Sequence, residues 1–137
     1  MNIDKVLVIS TAIIRNSDNQ VLLIKRSQKS SYSGYWQLVE GKMENGESPK
    51  ETITREVVEE TKTQVSNLEL KSVYHKEIEA KGLKFLCFRV VFNATISSYD
   101  IKIGDEHIDF GWFNKKKIDK LLLLPGMKEI LEGINGL

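Results

Sequence analysis

Lys5 to Ile14 (KVLVISTAII) is apolar at nearly every position and rich in β-branched residues. Such an unbroken run predicts a strand buried on both faces. Asn16 to Asn19 are turn formers, and Gln20 to Lys25 (QVLLIK) reads as the returning strand of a hairpin. Arg26 to Gly34 is polar and Ser-rich, which predicts a loop beside whatever site the chain builds. Tyr35 to Val39 is a short strand leading into a loop at Gly41. Ser48-Pro49-Lys50-Glu51 then starts a helix: Ser48 caps free backbone N–H groups, Pro49 suits the first helical position, and Glu51 reaches back to complete a capping box. That helix runs to about Thr61. It buries Ile53 and Val57, with Val58 further round, so its acidic edge falls at a rim.

Beyond the helix the period changes. Leu68 to Ile78 alternates and predicts a strand. Ala80-Lys81-Gly82 is a hairpin turn, and Leu83 to Ala94 (LKFLCFRVVFNA) is apolar enough to be a central strand. Ser97 to Asp105 is loop, and Asp109 to Phe113 is another strand. Asn114 caps a short helix over Lys115 to Leu122, Pro125 breaks the chain, and Met127 to Ile134 forms a last amphipathic helix. Strands around one central helix, with helices at the end, predict a mixed α/β layered domain.

Length and charge narrow the class. The 137 residues suit one domain, 1–137, with a core of its own. A net charge of +1 offers no electrostatic case for nucleic acid or membrane. Cys87 is the single cysteine, which excludes an internal disulfide and fits a reducing cytoplasm. The first fifteen residues lack the pattern of a signal peptide, and no apolar run reaches membrane-spanning length.

The helix carries the chemistry. Glu56, Glu59 and Glu60 stand at i, i+3 and i+4, all toward one side and in the half where the helix dipole disfavours negative charge. Each like-charge pair costs a few tenths of a kcal/mol, roughly, even when exposed. A hard divalent cation reverses that sign, because Mg²⁺ takes oxygen ligands in a dense negative site. The plain alternative is a solvated acidic face with Arg55 paired to Glu59.

Spacing decides between them. Gly41, Glu47, Arg55-Glu56, Val57 and Glu59-Glu60 stand in the register G-x5-E-x7-R-E-U-x-E-E-x-G-U, where U is aliphatic. The stretch 41–63 thereby resembles the signature of the Nudix hydrolases. Two positions depart: Lys62 replaces the late Gly, and Thr63 replaces the last aliphatic residue. A Lys in a left-handed helix exit costs about 1 kcal/mol, so the departure bears on the helix end and leaves the carboxylates untouched.

The resemblance implies an α/β/α sandwich with a mixed β-sheet, and a Mg²⁺-dependent hydrolase in which Mn²⁺ can substitute. It implies Glu56, Glu59, Glu60 and the Gly41 carbonyl as metal ligands. Arg55 would orient a carboxylate, and Glu47 would tie the loop to Arg55. A further acid is expected from a loop outside the motif. Glu106 is the candidate for an added ligand or general base, with Asp105 next. One of Lys25 and Arg26, at a basic strand end, would meet a substrate phosphate, and His107 adjoins Glu106. Trp36 and Trp112 are read as packing, Cys87 as a buried small side chain, and His75 as surface.

For substrate, the resemblance implies a nucleotide-type small molecule, foremost a nucleoside triphosphate cleaved to a monophosphate. Where many relatives acting on triphosphates carry Pro-Gly-Gly, this chain has Val39-Glu40-Gly41. The Trp36-Gln37-x-Val39-x-Gly41 pattern is similar to the dihydroneopterin triphosphate pyrophosphatase branch. A non-catalytic Nudix-fold nucleotide-binding module and an RNA-end pyrophosphohydrolase are the rival readings, and a homodimer is left open.

Overall fold

The computed structural model describes residues 2–137. Its elements are β1 (Lys5–Ile14), β2 (Val21–Arg26), β3 (Trp36–Gln37), β4 (Val39–Lys42), α1 (Pro49–Thr61), β5 (Val65–Ala80), β6 (Leu83–Ile96), β7 (His107–Phe113), α2 (Lys115–Ile118) and α3 (Met127–Glu132). One sheet has the strand order β4-β1-β6-β5 and the other β3-β2-β7. β1 runs parallel to β6 and antiparallel to β4, so the larger sheet is mixed.

Successive residues of β1 and β2 enter different cores. Ala12, Ile14, Leu22 and Ile24 pack with Ile53 and Val57 of α1. Ile13, Val21 and Leu23 pack with Ile118 of α2 and with Met127, Ile130 and Leu131 of α3. A strand layer with helices on both sides is the expected α/β/α sandwich. It also explains why these strands are apolar without alternation.

Several boundaries differ from expectation. β1 and β2 do not form a hairpin. β1 takes β4 and β6 as partners and β2 takes β3 and β7, with a lone bridge from Arg15 to Val21 where the chain changes sheet. A strand buried on both faces fills an interior position, and both its edges were claimed by other strands. The single strand expected over Tyr35 to Val39 is two, because the chain changes sheet at Leu38, whose N–H donates to Met127 Sδ at 3.4 Å. Gly41 lies inside β4, opposite Ser10, and not in a loop. The helix after Asn114 stops at Ile118, and Leu123 then bridges to Trp36. The last helix ends at Glu132. β5 and β6 each run longer than expected and form one long hairpin through Lys81-Gly82, with β6 inside the sheet.

No helix among the described residues is long and apolar enough to cross a membrane.

Candidate active site

The start of α1 is fixed as the sequence predicts. Ser48 accepts from Glu51 N–H while the Glu51 carboxylate accepts from Ser48 N–H. The far end closes on Lys62, which itself adopts the left-handed conformation (φ 59°), and its Nζ donates to Glu59 O at 2.8 Å. The chain therefore makes the usual turn without the glycine.

Arg55 gathers the residues around the helix. Its Nε donates to Glu47 Oε2 at 2.7 Å and its Nη2 to Glu47 Oε1 at 3.0 Å. Nη1 donates to Glu56 Oε1 at 2.8 Å and reaches both Glu59 oxygens at 3.3 Å. Nη2 also donates to Lys42 O at 3.2 Å. Glu47 additionally accepts from Glu44 N–H and from the Thr52 hydroxyl. The Arg55 bonds, and then the Glu44 amide, hold the Glu47 carboxyl down at about 2. The carboxylates in turn raise the Arg55 guanidinium, Glu47 foremost. Arg55 thus ties the loop, the end of β4 and the helix together.

Beside this knot is a cleft of about 600 Å³, where the ends of β2, β3 and β4 meet α1. Glu56 and Glu60 line it, with Glu40, Gly41, Glu106, His107, Arg26 and Gln37. A Cβ on Gly41 would collide with the Glu56 carboxylate, so the bare backbone lets that side chain keep its present position. Glu60 is 5% exposed, and its Oε1 has no hydrogen-bond partner. Burial, then the neighbouring charges of Glu56, Glu40 and Glu106, push its carboxyl well above the usual range. His107 Nε2 lies 4.0 Å from that oxygen. Burial and the Arg26 charge lower the imidazole to about 4, so the two do not form an ion pair at neutral pH.

The remaining candidates divide. Arg26 enters the cleft past an irregularity in β2 pairing between Lys25 and Arg26. Lys25 instead stands over the Trp36 ring, 5.8 Å from its centre, and does not line the cleft. Glu59 has a 55% exposed side chain and borders the outer groove with Val58 and Leu68. Asp105 is exposed and outside the cleft lining, whereas Glu106 is part of it. A larger hollow of about 890 Å³ beneath α3 is walled by leucines and holds none of these acids. Trp36 packs on Phe113 and Trp112 on Tyr99; Cys87 is buried and His75 exposed.

Glu40 was read from the sequence only as a departure from Pro-Gly-Gly. In the fold it is 8% exposed, accepts from Thr11 Oγ1 at 2.8 Å, and is gripped by Arg89 Nε at 2.9 Å and Nη2 at 3.2 Å. The available signal was Arg89 itself. A lone arginine in the apolar run of β6 requires a buried carboxylate partner.

These residues suit a hard cation. The donors are carboxylate oxygens, one buried oxygen is orphaned, and the backbone beside Glu56 is stripped to glycine. Among the described residues no three acidic, His or Cys side chains are gathered as a ready ligand set.

The NUDIX domain family model matches residues 6–133. The chain belongs to the Nudix family. It is 32% identical over 120 residues to a Caenorhabditis elegans protein carrying the name nudix hydrolase 1; the match takes 84% of this chain and 31% of that one. The chain thus spans about a third of the worm protein's length. It is 28% identical to the dihydroneopterin triphosphate diphosphatase of Haemophilus influenzae, covering 85% of this chain and 77% of the other. The structure of a MutT protein from Methanosarcina mazei Go1 superposes with a TM-score of 0.78 at 29% identity, over 96% of this chain and 94% of that one.

Proposed function

We propose that this Nudix protein is a Mg²⁺-dependent pyrophosphohydrolase that breaks a diphosphate linkage in a nucleoside triphosphate or another nucleoside diphosphate derivative. The observation that carries this reading is the pairing of Glu56 and Glu60 in one cleft, the first against bare Gly41 backbone and the second with a buried, unpartnered oxygen.

Glu56, Glu60, the Gly41 carbonyl and, from their edges of the helix and cleft, Glu59 and Glu106 would hold the metal, with Mn²⁺ as a substitute. Bound there, it supplies charge neutralisation and a Lewis acid for the phosphoryl oxygens. Arg55 keeps Glu56 oriented, and Glu47 keeps Arg55 in place. Arg26 contributes the cationic wall of the cleft and receives a phosphate. Glu106 accepts the proton of the attacking water, while Glu59 stands on the outer groove and is held by Arg55. The water oxygen bonds to phosphorus, the bridging P–O bond breaks, and a nucleoside triphosphate yields a monophosphate and pyrophosphate.

Dihydroneopterin triphosphate is the second substrate reading. The Trp36-Gln37-x-Val39-x-Gly41 pattern and the Haemophilus relative support it.

The test is a panel of nucleoside triphosphates, dihydroneopterin triphosphate, ADP-ribose and dinucleoside polyphosphates, with Mg²⁺ or Mn²⁺. Pyrophosphatase reveals released pyrophosphate, and phosphatase reveals monoester products. Metal-dependent turnover of one compound supports the reading and names the substrate. Binding without turnover under either metal would favour a nucleotide-binding module.

A further inference from the structure

Gln37 is the second residue of β3, paired with Ile24, and only 2% exposed. Its amide nevertheless reaches the wall of the acidic cleft. Oε1 accepts from Arg26 Nη1 at 2.6 Å, and Nε2 donates to Leu38 O at 3.2 Å, which fixes the amide's orientation. Arg26 Nε donates to Ser31 O at 2.7 Å. The guanidinium is therefore held at two points by two neutral acceptors. The backbone of the same residue closes the loop: Arg26 N–H donates to Tyr35 O and Gly34 N–H donates to Arg26 O, both at 2.9 Å. A guanidinium carries five N–H donors in a rigid fork. Those not used by Ser31 and Gln37 are left for a ligand.

The identity of the holder matters as much as the bond. A carboxylate at position 37 would accept the same hydrogen bond and cancel the charge. An amide orients the guanidinium and leaves its charge whole. The surrounding cleft is lined by Glu40, Glu44, Glu56, Glu60 and Glu106, with Arg26 and Lys42 as its cations, so an unspent guanidinium there has a ligand to serve.

We propose that Gln37 is a positioning residue. It fixes Arg26 as a fully charged fork for a phosphate group of the substrate, in the same cleft as the helix carboxylates. This rests on the reading of the cleft as a diphosphate site and assigns the determinant of substrate affinity within it.

The experiment compares the native protein with Gln37→Glu, Gln37→Met, Arg26→Gln and the double variant Arg26→Gln/Gln37→Glu. The readouts are melting temperature, calorimetric affinity for inorganic tripolyphosphate with Mg²⁺, and KM and kcat on any panel compound that is cleaved. Gln37→Glu should stay folded, with some loss of melting temperature because its carboxylate cannot donate to Leu38 O, and bind tripolyphosphate at least about tenfold more weakly, the scale of one charge-assisted hydrogen bond. KM should rise while kcat changes far less. In the Arg26→Gln background the second change should add little, because both act through one guanidinium. Native affinity in Gln37→Glu, or penalties that add in full, would overturn the proposal. Should Gln37→Glu fail to fold, Gln37→Met decides: weakened binding upholds the role and native binding overturns it. The binding arm does not need turnover, so silence across the substrate panel would count against the hydrolase reading alone.

Discussion

Arg55 Nε lies 2.7 Å from Glu47 Oε2, and the same guanidinium holds Glu56 at 2.8 Å. One side chain therefore connects the loop before α1 to the carboxylate beside Gly41. The Glu47 carboxyl, held near 2 against an ordinary 4.5, binds fewer protons folded than unfolded between those values. Its stabilisation is present above 4.5 and is lost as pH falls toward 2. Denaturation of the native protein and Glu47→Gln across this range should show a native advantage that shrinks as acid is added. A difference independent of pH would contradict the assigned pairing.

Gly41→Ala tests the close approach to Glu56. The added methyl cannot coexist with the present position of the carboxylate. Displacing that side chain should lower turnover by about a hundredfold, the usual cost of a misplacement near 1 Å. Gly41 does not have a positive φ, so the fold should survive, as melting would show.

The Glu40–Arg89 pair is buried at both ends, 8% and 4% exposed. Arg89→Met leaves the Glu40 carboxylate unpaired and should cost about 3–5 kcal/mol in denaturant unfolding. Adding Glu40→Gln should recover much of it, since both charges are then gone. A double variant as unstable as the single one would show that Arg89 acts by packing.

His107 should titrate near 4, below its ordinary 6.5, because burial and Arg26 disfavour its charged form. A base lowered in the fold stabilises the protein above 6.5 and loses that contribution as pH falls toward 4. The imidazole resonances report the midpoint directly. A midpoint at or above 6.5 would mean that His107 is charged against Glu60.

The sequence made some of this legible and hid the rest for identifiable reasons. The capping box at Ser48 and Glu51 and the strands with continuous apolar runs depend on local chemistry, and local chemistry can be read in order. The partners of β1 could not, because an interior strand is claimed by segments far along the chain. The left-handed Lys62 marks a position where tertiary packing overrode a propensity of about 1 kcal/mol. Within the site, Glu47–Arg55 was implied by the Nudix resemblance, whereas Glu40–Arg89 spans two strands and Gln37–Arg26 crosses a loop. The separation of Glu59 from Glu60, one exposed and one buried, depends on which edge of α1 meets β4 and β1, a choice made by packing.

The central claim is that Glu56 and Glu60 form a metal-dependent hydrolytic site. The most direct measurement is Mg²⁺-dependent turnover of Glu60→Gln beside the native protein, on the panel compound that the native protein cleaves, with melting temperature as the folding control. The account predicts a folded variant whose turnover falls by orders of magnitude and whose melting temperature no longer rises with Mg²⁺. A folded Glu60→Gln with native turnover and native response to Mg²⁺ would contradict it.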